Sequence, residues 1–359
     1  MSPYIVVNPV SASSLYLDHA ATTPVSEAAK QAMMEGLDRW ANPSSPHAAG
    51  RAARAALEDA RARIKAALGW SGTVIFTSGA SEAISIALTR VKAENIVTSP
   101  VEHDAVLRVT KGAQRLGTDE NGLVHDVVAG ALHAIQHVNN ETGVIQPIPQ
   151  LMKRIREAGG LLFCDCAQSA GKIDLPVSGD DRPDMVAISA CKFGGAPGVG
   201  ALLVRDLTLL HPSGGQEQGY RGGTENLPGV LAMAAALEES RDWMGEALRL
   251  RILLDSAIIA GGGEIVAGDA PRIPTIASYR MPGKAARAQL IQFDMAGIAV
   301  SAGSACSSGT LKTSPVLKAM GWDDKAADEV VRVSFGRGTS EDDVRRFIAQ
   351  WRKIAGLTA

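Results

Sequence analysis

The sequence predicts an α/β protein built on a mainly parallel sheet, and three observations carry that prediction. Short β-rich runs alternate with helix-like segments from about residue 70 to 205, the pattern of strands joined by crossover helices. Several runs are apolar throughout, as in Leu161-Leu-Phe-Cys-Asp165 and Met185-Val-Ala-Ile-Ser189, which suits strands covered by helices on both faces. At 359 residues the chain also exceeds the size at which one core usually stops growing, so two lobes are expected.

In order along the chain, the expected strands are Thr73–Thr77, Asn95–Thr98, Ala134–Val138, Leu161–Asp165, Asp184–Ser189 and Val199–Val204. Their carboxyl ends are where a site should form. After a glycine-rich stretch at 214–223, the segment Glu225–Ile259 reads as helical, and Gly261-Gly-Gly263 opens a different region. The last helix is marked by a helix-period stripe of Val344, Phe347, Ile348, Trp351 and Ile354, with Ser340 as its N-cap.

The composition excludes several classes. Hydrophobic residues make up 46% and charged residues 21%, far from a disordered chain. The formal net charge is -2 with Lys and Arg scattered, so no footprint for nucleic acid or anionic lipid is present. The N-terminus lacks a basic n-region, no run approaches a membrane span, and four cysteines are too few for a disulfide framework. A cytoplasmic protein with reduced thiols and a small-molecule ligand is expected, with no metal site.

Lys192 sits where the apolar run ending at Ser189 gives way to Phe193-Gly-Gly-Ala-Pro-Gly-Val-Gly200. A lone lysine is usually a solvated charge. At a covered strand end it is desolvated, its pKa falls, and the neutral amine can form a Schiff base with a carbonyl. Asp165 also ends an apolar strand, where a carboxylate needs a buried cation or else merely caps the next turn. Thr77-Ser-Gly-Ala-Ser-Glu82 places Gly79, Ala80 and Ser81 between a strand and a helix, a turn that binds phosphate in some folds and serves only packing in many. Cys306 lies in Ser301-Ala-Gly-Ser-Ala-Cys-Ser-Ser-Gly309, a run of small residues that packs little and reads as a mobile loop. Cys164 and Cys166 alternate along an apolar strand and read as core filler.

Taken together these segments resemble the cysteine desulfurases, the NifS/IscS-like branch of the class V aminotransferase superfamily, over nearly the whole chain. The opening motifs Leu17-Asp-His-Ala-Ala-Thr-Thr-Pro24 and Asn42-Pro-Ser-Ser-Pro-His47, Glu102-His103, Asn139-Asn-Glu-Thr-Gly143 and the block from Gly214 to Asn226 all carry the likeness. The resemblance implies the fold type I of pyridoxal-phosphate enzymes. A large domain at 15–245 would hold a seven-stranded, mainly parallel sheet sandwiched by helices. A smaller α+β domain at 1–14 and 246–359 would carry the cysteine loop.

The same resemblance implies roles for individual residues. Lys192 would hold pyridoxal 5′-phosphate, His103 would stack on its ring, and Asp165 and Gln168 would hold the ring nitrogen and phenolic oxygen. Ser189 and the Gly79-Ala80-Ser81 turn would bind the phosphate, together with Thr224 from the neighbouring subunit of a homodimer. Asn140 would lie beside cofactor and substrate, Arg332 would bind the carboxylate of L-cysteine, and Cys306 would take the sulfur as a persulfide. A sulfur-acceptor protein such as an iron-sulfur scaffold is the implied partner. The chain departs from the family at Cys191, where histidine usually precedes the lysine, at Ile84 and His19, where asparagine is common, at Ala196-Pro197, which replaces the usual Pro-Lys, and in a compressed stretch between Lys111 and His133. A selenocysteine lyase, another class V aminotransferase or lyase, and a non-catalytic sulfur-relay partner with weakened cofactor binding remain alternatives.

Overall fold

In a computed structural model of the chain, residues 14–357 are described apart from 178, 180, 181, 303 and 306–310. Cys306 and the core of its expected loop therefore lie outside the described residues.

The chain opens with β1 (Leu15–Tyr16) and the helices α1 (Glu27–Asp38) and α2 (Ala48–Leu68). There follow β2 (Thr73–Thr77), α3 (Ala80–Arg90), β3 (Ile96–Thr98), α4 (Asp104–Val109), β4 (Gln114–Arg115), β5 (Leu132–Gln136), α5 (Ile148–Glu157), β6 (Leu161–Asp165), β7 (Met185–Ser189) and β8 (Gly200–Val204). These strands form one seven-stranded sheet in the order β2-β8-β7-β6-β5-β3-β4. Strand β8 runs antiparallel to β2 and β7, and the other pairings are parallel. The mainly parallel sheet predicted from the sequence is thus present, and the short exposed β4 is an addition that its Gln-Arg sequence did not mark.

The absence of period-2 hydrophobicity has a direct cause. Val74, Phe76, Leu162, Cys164, Val186, Ile188, Ala201 and Leu203 pack into one cluster, and the alternate residues Ile75, Phe163, Met185, Ala187, Leu202 and Val204 pack into another. Helices cover both faces, so these strands are apolar on both sides rather than on alternate residues. The first cluster includes residues of α2, α5 and the buried helix α6 (Leu227–Glu238), and the second is closed by α3 and α4. Cys164 and Cys166 are both fully buried with their sulfurs 3.6 Å apart, as core filler should be.

The single helix expected over 225–259 is two. Helix α6 ends at Glu238 and α7 (Trp243–Ala260) restarts after Glu239 adopts an extended conformation. Two polar contacts sit at the break: the Glu239 carboxylate pairs with the sequence-distant Arg337 at 3.0 Å, and the Asp242 N–H donates to Ser240 Oγ at 3.2 Å. Beyond Gly261, β9 (Glu264–Ile265), β10 (Ile276–Arg280), α8 (Ala286–Met295), β11 (Ile298–Ala299), β12 (Ser304–Ala305), β13 (Leu311–Lys312), α9 (Pro315–Ala319), α10 (Asp324–Ala327), β14 (Val330–Ser334) and α11 (Glu341–Ala355) complete the chain. Strands β14, β10 and β9 form an antiparallel sheet. A third cluster covers it with Leu254, Phe293, Phe347 and Trp351, and it includes Leu15 and Leu17 from the start of the chain. Ser340 caps α11 as expected, in a capping box with Asp343.

Candidate active site

The predicted residues converge on the carboxyl ends of β2, β6 and β7. Register fixes part of this: Asp165 pairs with Ala187, two residues before Ser189, and both Thr77 and Ser189 pair with Gly200. A Cβ on Gly200 would lie 2.7 Å from the Gly79 Cα and 2.5 Å from the Ile188 carbonyl, so only glycine lets the turn before α3 approach the sheet this closely. Ser189 Oγ lies 3.7 Å from where a Gly79 Cβ would be. Gly79 is the N-cap of α3 and offers no side-chain cap, which leaves the first-turn N–H groups of Ala80 and Ser81 free for an anion.

Lys192 closes the single 3₁₀ turn after β7. Its Nζ donates to the carbonyls of Ala20 at 3.2 Å and Ala21 at 2.5 Å, both in the opening motif. Burial pushes its pKa down; Cys191, Asp165 and Asp18 oppose that shift while Arg332 adds to it. The amine that the sequence placed at a desolvated strand end is therefore where it was expected.

Asp165 is buried at 6% exposure and accepts the Ala167 N–H at 2.9 Å. Among the described residues it makes no ion pair. Burial raises its pKa, while the Ala167 N–H and the charges of His103 and Lys192 pull it back. His103 caps α4: its Nδ1 accepts the Ala105 N–H at 3.1 Å, so the ring proton of the neutral form resides on Nε2. Its pKa is lowered by desolvation, with Asp165 opposing and Lys192 reinforcing the shift. Lys192 thus shifts both side chains, and the two shift each other. Glu102 lies behind them, fully enclosed, with Oε1 accepting the Gln136 N–H at 2.8 Å and Oε2 without a partner among the described residues. Desolvation raises its pKa, with the Gln136 N–H opposing.

Gln168 is buried and donates through Nε2 to the Ala20 carbonyl at 2.9 Å, while its Oε1 accepts from Lys172 Nζ at 3.2 Å. Lys172, at 4% exposure, was not singled out from the sequence. Nothing in its Ser-Ala-Gly-Lys surroundings marks it as enclosed. Asn140 has a buried Oδ1 with no partner among the described residues, and its carbonyl accepts from Arg332 Nη1 at 3.0 Å. Arg332 is buried on β14 and its Nη2 pairs with Asp18 Oδ1 at 2.7 Å. This ion pair is enclosed, and the Arg332 Nε is unpartnered among the described residues.

Thr224 does not join these groups. It is exposed and makes no side-chain hydrogen bond among the described residues. Its loop is tied to the start of α3 by Arg221, which pairs with Glu82 at 2.9 Å. Of the departures, Cys191 is half-buried with Sγ 3.5 Å from Ser189 Oγ, Ile84 is packed in the sheet cluster, and the His19 ring lies against Gly336 and Tyr16.

The donor set fits the cofactor that the resemblance implies. An enclosed carboxylate without a counter-ion suits a cationic ring nitrogen, and an uncapped helix start beside a serine hydroxyl suits a phosphate. A desolvated amine at the junction suits an aldehyde.

The family model for aminotransferase class V matches residues 15–347, and the chain belongs to that family. Within it the chain is one of the NifS/IscS-like cysteine desulfurases. It is 35% identical to the cysteine desulfurase IscS of Dictyoglomus turgidum over 92% of this chain and 91% of that one. It is 36% identical to a cysteine desulfurase of Klebsiella pneumoniae over 93% of this chain and 91% of that one. Among solved structures, a NifS-like protein from Rickettsia africae superposes with a TM-score of 0.87 at 27% identity, covering 96% of this chain and all of that one. A protein called SspA, solved in complex with cysteine, superposes with a TM-score of 0.76 at 29% identity, covering 90% and 99%.

Proposed function

We propose that the protein is a pyridoxal-phosphate-dependent cysteine desulfurase that moves the sulfur of L-cysteine onto Cys306 and releases L-alanine. The observation that carries this is the desolvated Lys192 amine within electrostatic reach of the enclosed, unpaired Asp165. The cofactor, when bound, supplies an aldehyde for amines and a sink for electrons from the substrate α-carbon. Lys192 would hold it and then move protons at that carbon, a task for which its lowered pKa suits it. Asp165 would keep the ring nitrogen protonated, His103 would lie against the ring, and Ser189, Gly79, Ala80 and Ser81 would hold the phosphate.

Arg332 would bind the substrate carboxylate, with Asp18 fixing one edge of the guanidinium. Asn140, whose Oδ1 is still unpartnered among the described residues, would face the substrate. The Cys306 thiolate would form an S–S bond to the substrate sulfur. The S–Cβ bond then breaks, its electron pair stays with Cβ, and protonation there yields alanine and a persulfide. That persulfide would serve an acceptor protein such as an iron-sulfur scaffold.

The reading extends to a homodimer in which the exposed Thr224 reaches the partner's phosphate, and to a large domain at 15–245 with a small one at 1–14 and 246–359. The separate core around Phe293, Phe347 and Trp351 supports the division, with Leu15 and Leu17 crossing to the small side. The reading keeps the cytoplasmic location and reduced thiols expected from the sequence. Among the described residues no helix is long and apolar enough to cross a membrane.

The test is spectroscopic and chemical. Protein supplied with pyridoxal 5′-phosphate should turn yellow and lose that reactivity in Lys192→Ala, while Cys306→Ala should keep the colour and fail to form persulfide. A protein that stays colourless would favour the sulfur-relay alternative, and Cys306→Ala releasing alanine from cysteine at the parent rate would remove Cys306 from the mechanism. Relative turnover of cysteine and selenocysteine separates the lyase alternative.

A further inference from the structure

We propose that Lys172 is a positioning residue that sets the polarity of the Gln168 amide, so that Gln168 presents an N–H donor, never its carbonyl, to the cofactor cleft. The geometry is a chain of hydrogen bonds. Lys172 Nζ donates to Gln168 Oε1 at 3.2 Å, Gln168 Nε2 donates to the Ala20 carbonyl at 2.9 Å, and Lys192 Nζ donates to that same carbonyl at 3.2 Å. Ala20 is itself pinned, its N–H donating to Ser334 Oγ at 2.8 Å.

An amide can be turned end for end in a site of one shape, and only its partners decide which end points where. While protonated, the Lys172 amine has donors alone and takes only the orientation of Gln168 with Oε1 toward it. The Ala20 carbonyl, an acceptor alone, demands Nε2 at the other end. The two constraints agree. Nε2 carries two N–H groups, and Ala20 takes one, which leaves the second for an oxygen in the cleft.

Lys172 has no other evident duty. Among the described residues it makes no ion pair, and Gln168 Oε1 is the one acceptor of its side-chain amine. Enclosing such an amine is costly, which shows in a pKa lowered to about 7 by burial first and then by Lys192 and Arg332, with Cys191 opposing. His19 also faces it, its own pKa lowered to about 4 by burial and then by Lys172. Asp174, Glu239 and Arg241 line the cavities onto which Lys172 opens. A methionine would fill the same space without that cost, so the presence of a lysine here points to what its donor does.

This inference rests on the reading that Lys192 carries pyridoxal 5′-phosphate, whose phenolic oxygen is the acceptor for the second N–H. A donor there favours the ionised oxygen, so losing it should raise the pH midpoint of the bound cofactor's absorbance change by about one unit, the worth of one ordinary hydrogen bond. The experiment is a pH titration of the visible spectrum of the loaded parent, Lys172→Met, Gln168→Leu and the double variant. Lys172→Met should shift the midpoint upward, Gln168→Leu should shift it at least as far, and the double variant should go no further. Lys172→Arg, a donor-only side chain with cavity space beside it, should keep the parent midpoint, and it carries the test if methionine is not tolerated. A Lys172→Met midpoint equal to the parent's, or shifts that add in the double variant, would overturn the inference alone. A parent that develops no colour would overturn the cofactor reading and this inference with it.

Discussion

Glu217→Ala should destabilise the protein by roughly 3–5 kcal/mol, the cost of orphaning one member of an enclosed ion pair. The Glu217 side chain is 1% exposed and its carboxylate accepts from Arg61 Nη1 at 2.8 Å, Arg61 Nη2 at 2.9 Å and the Phe76 N–H at 2.8 Å. Truncation strands a guanidinium that is itself buried over the Phe76 ring, 4.3 Å from its centroid, and leaves a backbone donor of β2 unpaired. Three charge-assisted bonds at about 1.5–3 kcal/mol each would sum higher, but Glu58 still pairs with Arg61 at 3.0 Å and recovers part. The effect should reach the site. Glu217 and Gln218 hold left-handed conformations, φ 47° and 58°, and β2 runs directly into the turn before α3. Without its anchor the segment that carries Thr224 should relax, so cofactor retention should fall along with stability. The assay is urea unfolding at one fixed protein concentration, with the m-value checked for constancy. Pairing Glu217→Leu with Arg61→Met should recover most of the loss, because two apolar groups replace two charges. A loss under about 1 kcal/mol, the size of an exposed pair, would refute the reasoning.

Three other outcomes follow from the packing. Gly336→Ala should cost roughly 1–3 kcal/mol by overpacking, because the added methyl would fall 2.1 Å from the His19 ring, and a thermal melt reports it. Ile84→Asn should not improve the site. Ile84 is 1% exposed among Ala83, Ala87 and Leu88, so an amide there should cost about 2–4 kcal/mol in denaturant unfolding, and a neutral result would show that the side chain can turn toward the cleft. The stability of Lys172→Met relative to the parent should fall as pH rises from about 7 to 10. The folded parent holds that amine at a lowered pKa of about 7, so the unfolded chain binds the extra proton in this window and the parent gains stability as pH rises, on the order of 4 kcal/mol at most. Matched denaturant titrations at pH 7 and 9.5 check it, and a pH-independent difference would mean that the amine is solvated.

The sequence by itself determined the sheet, because strands enclosed on both faces are mainly apolar on both, and runs such as Thr73–Thr77 and Leu161–Asp165 are legible without knowing their partners. It also placed Lys192 and Asp165 at strand ends, since a charge that closes an apolar run has to be enclosed. What it could not show was how distant segments answer one another. The break at Glu239 depends on Arg337, about a hundred residues away, and neither residue looks like a helix terminator when read locally. The pairing of Arg332 with Asp18 joins the two ends of the chain. Lys172 is the plainest case: its identity is ordinary, and only the fold, by closing protein around its amine and setting Gln168 and Ala20 between it and Lys192, turned a common residue into part of the site.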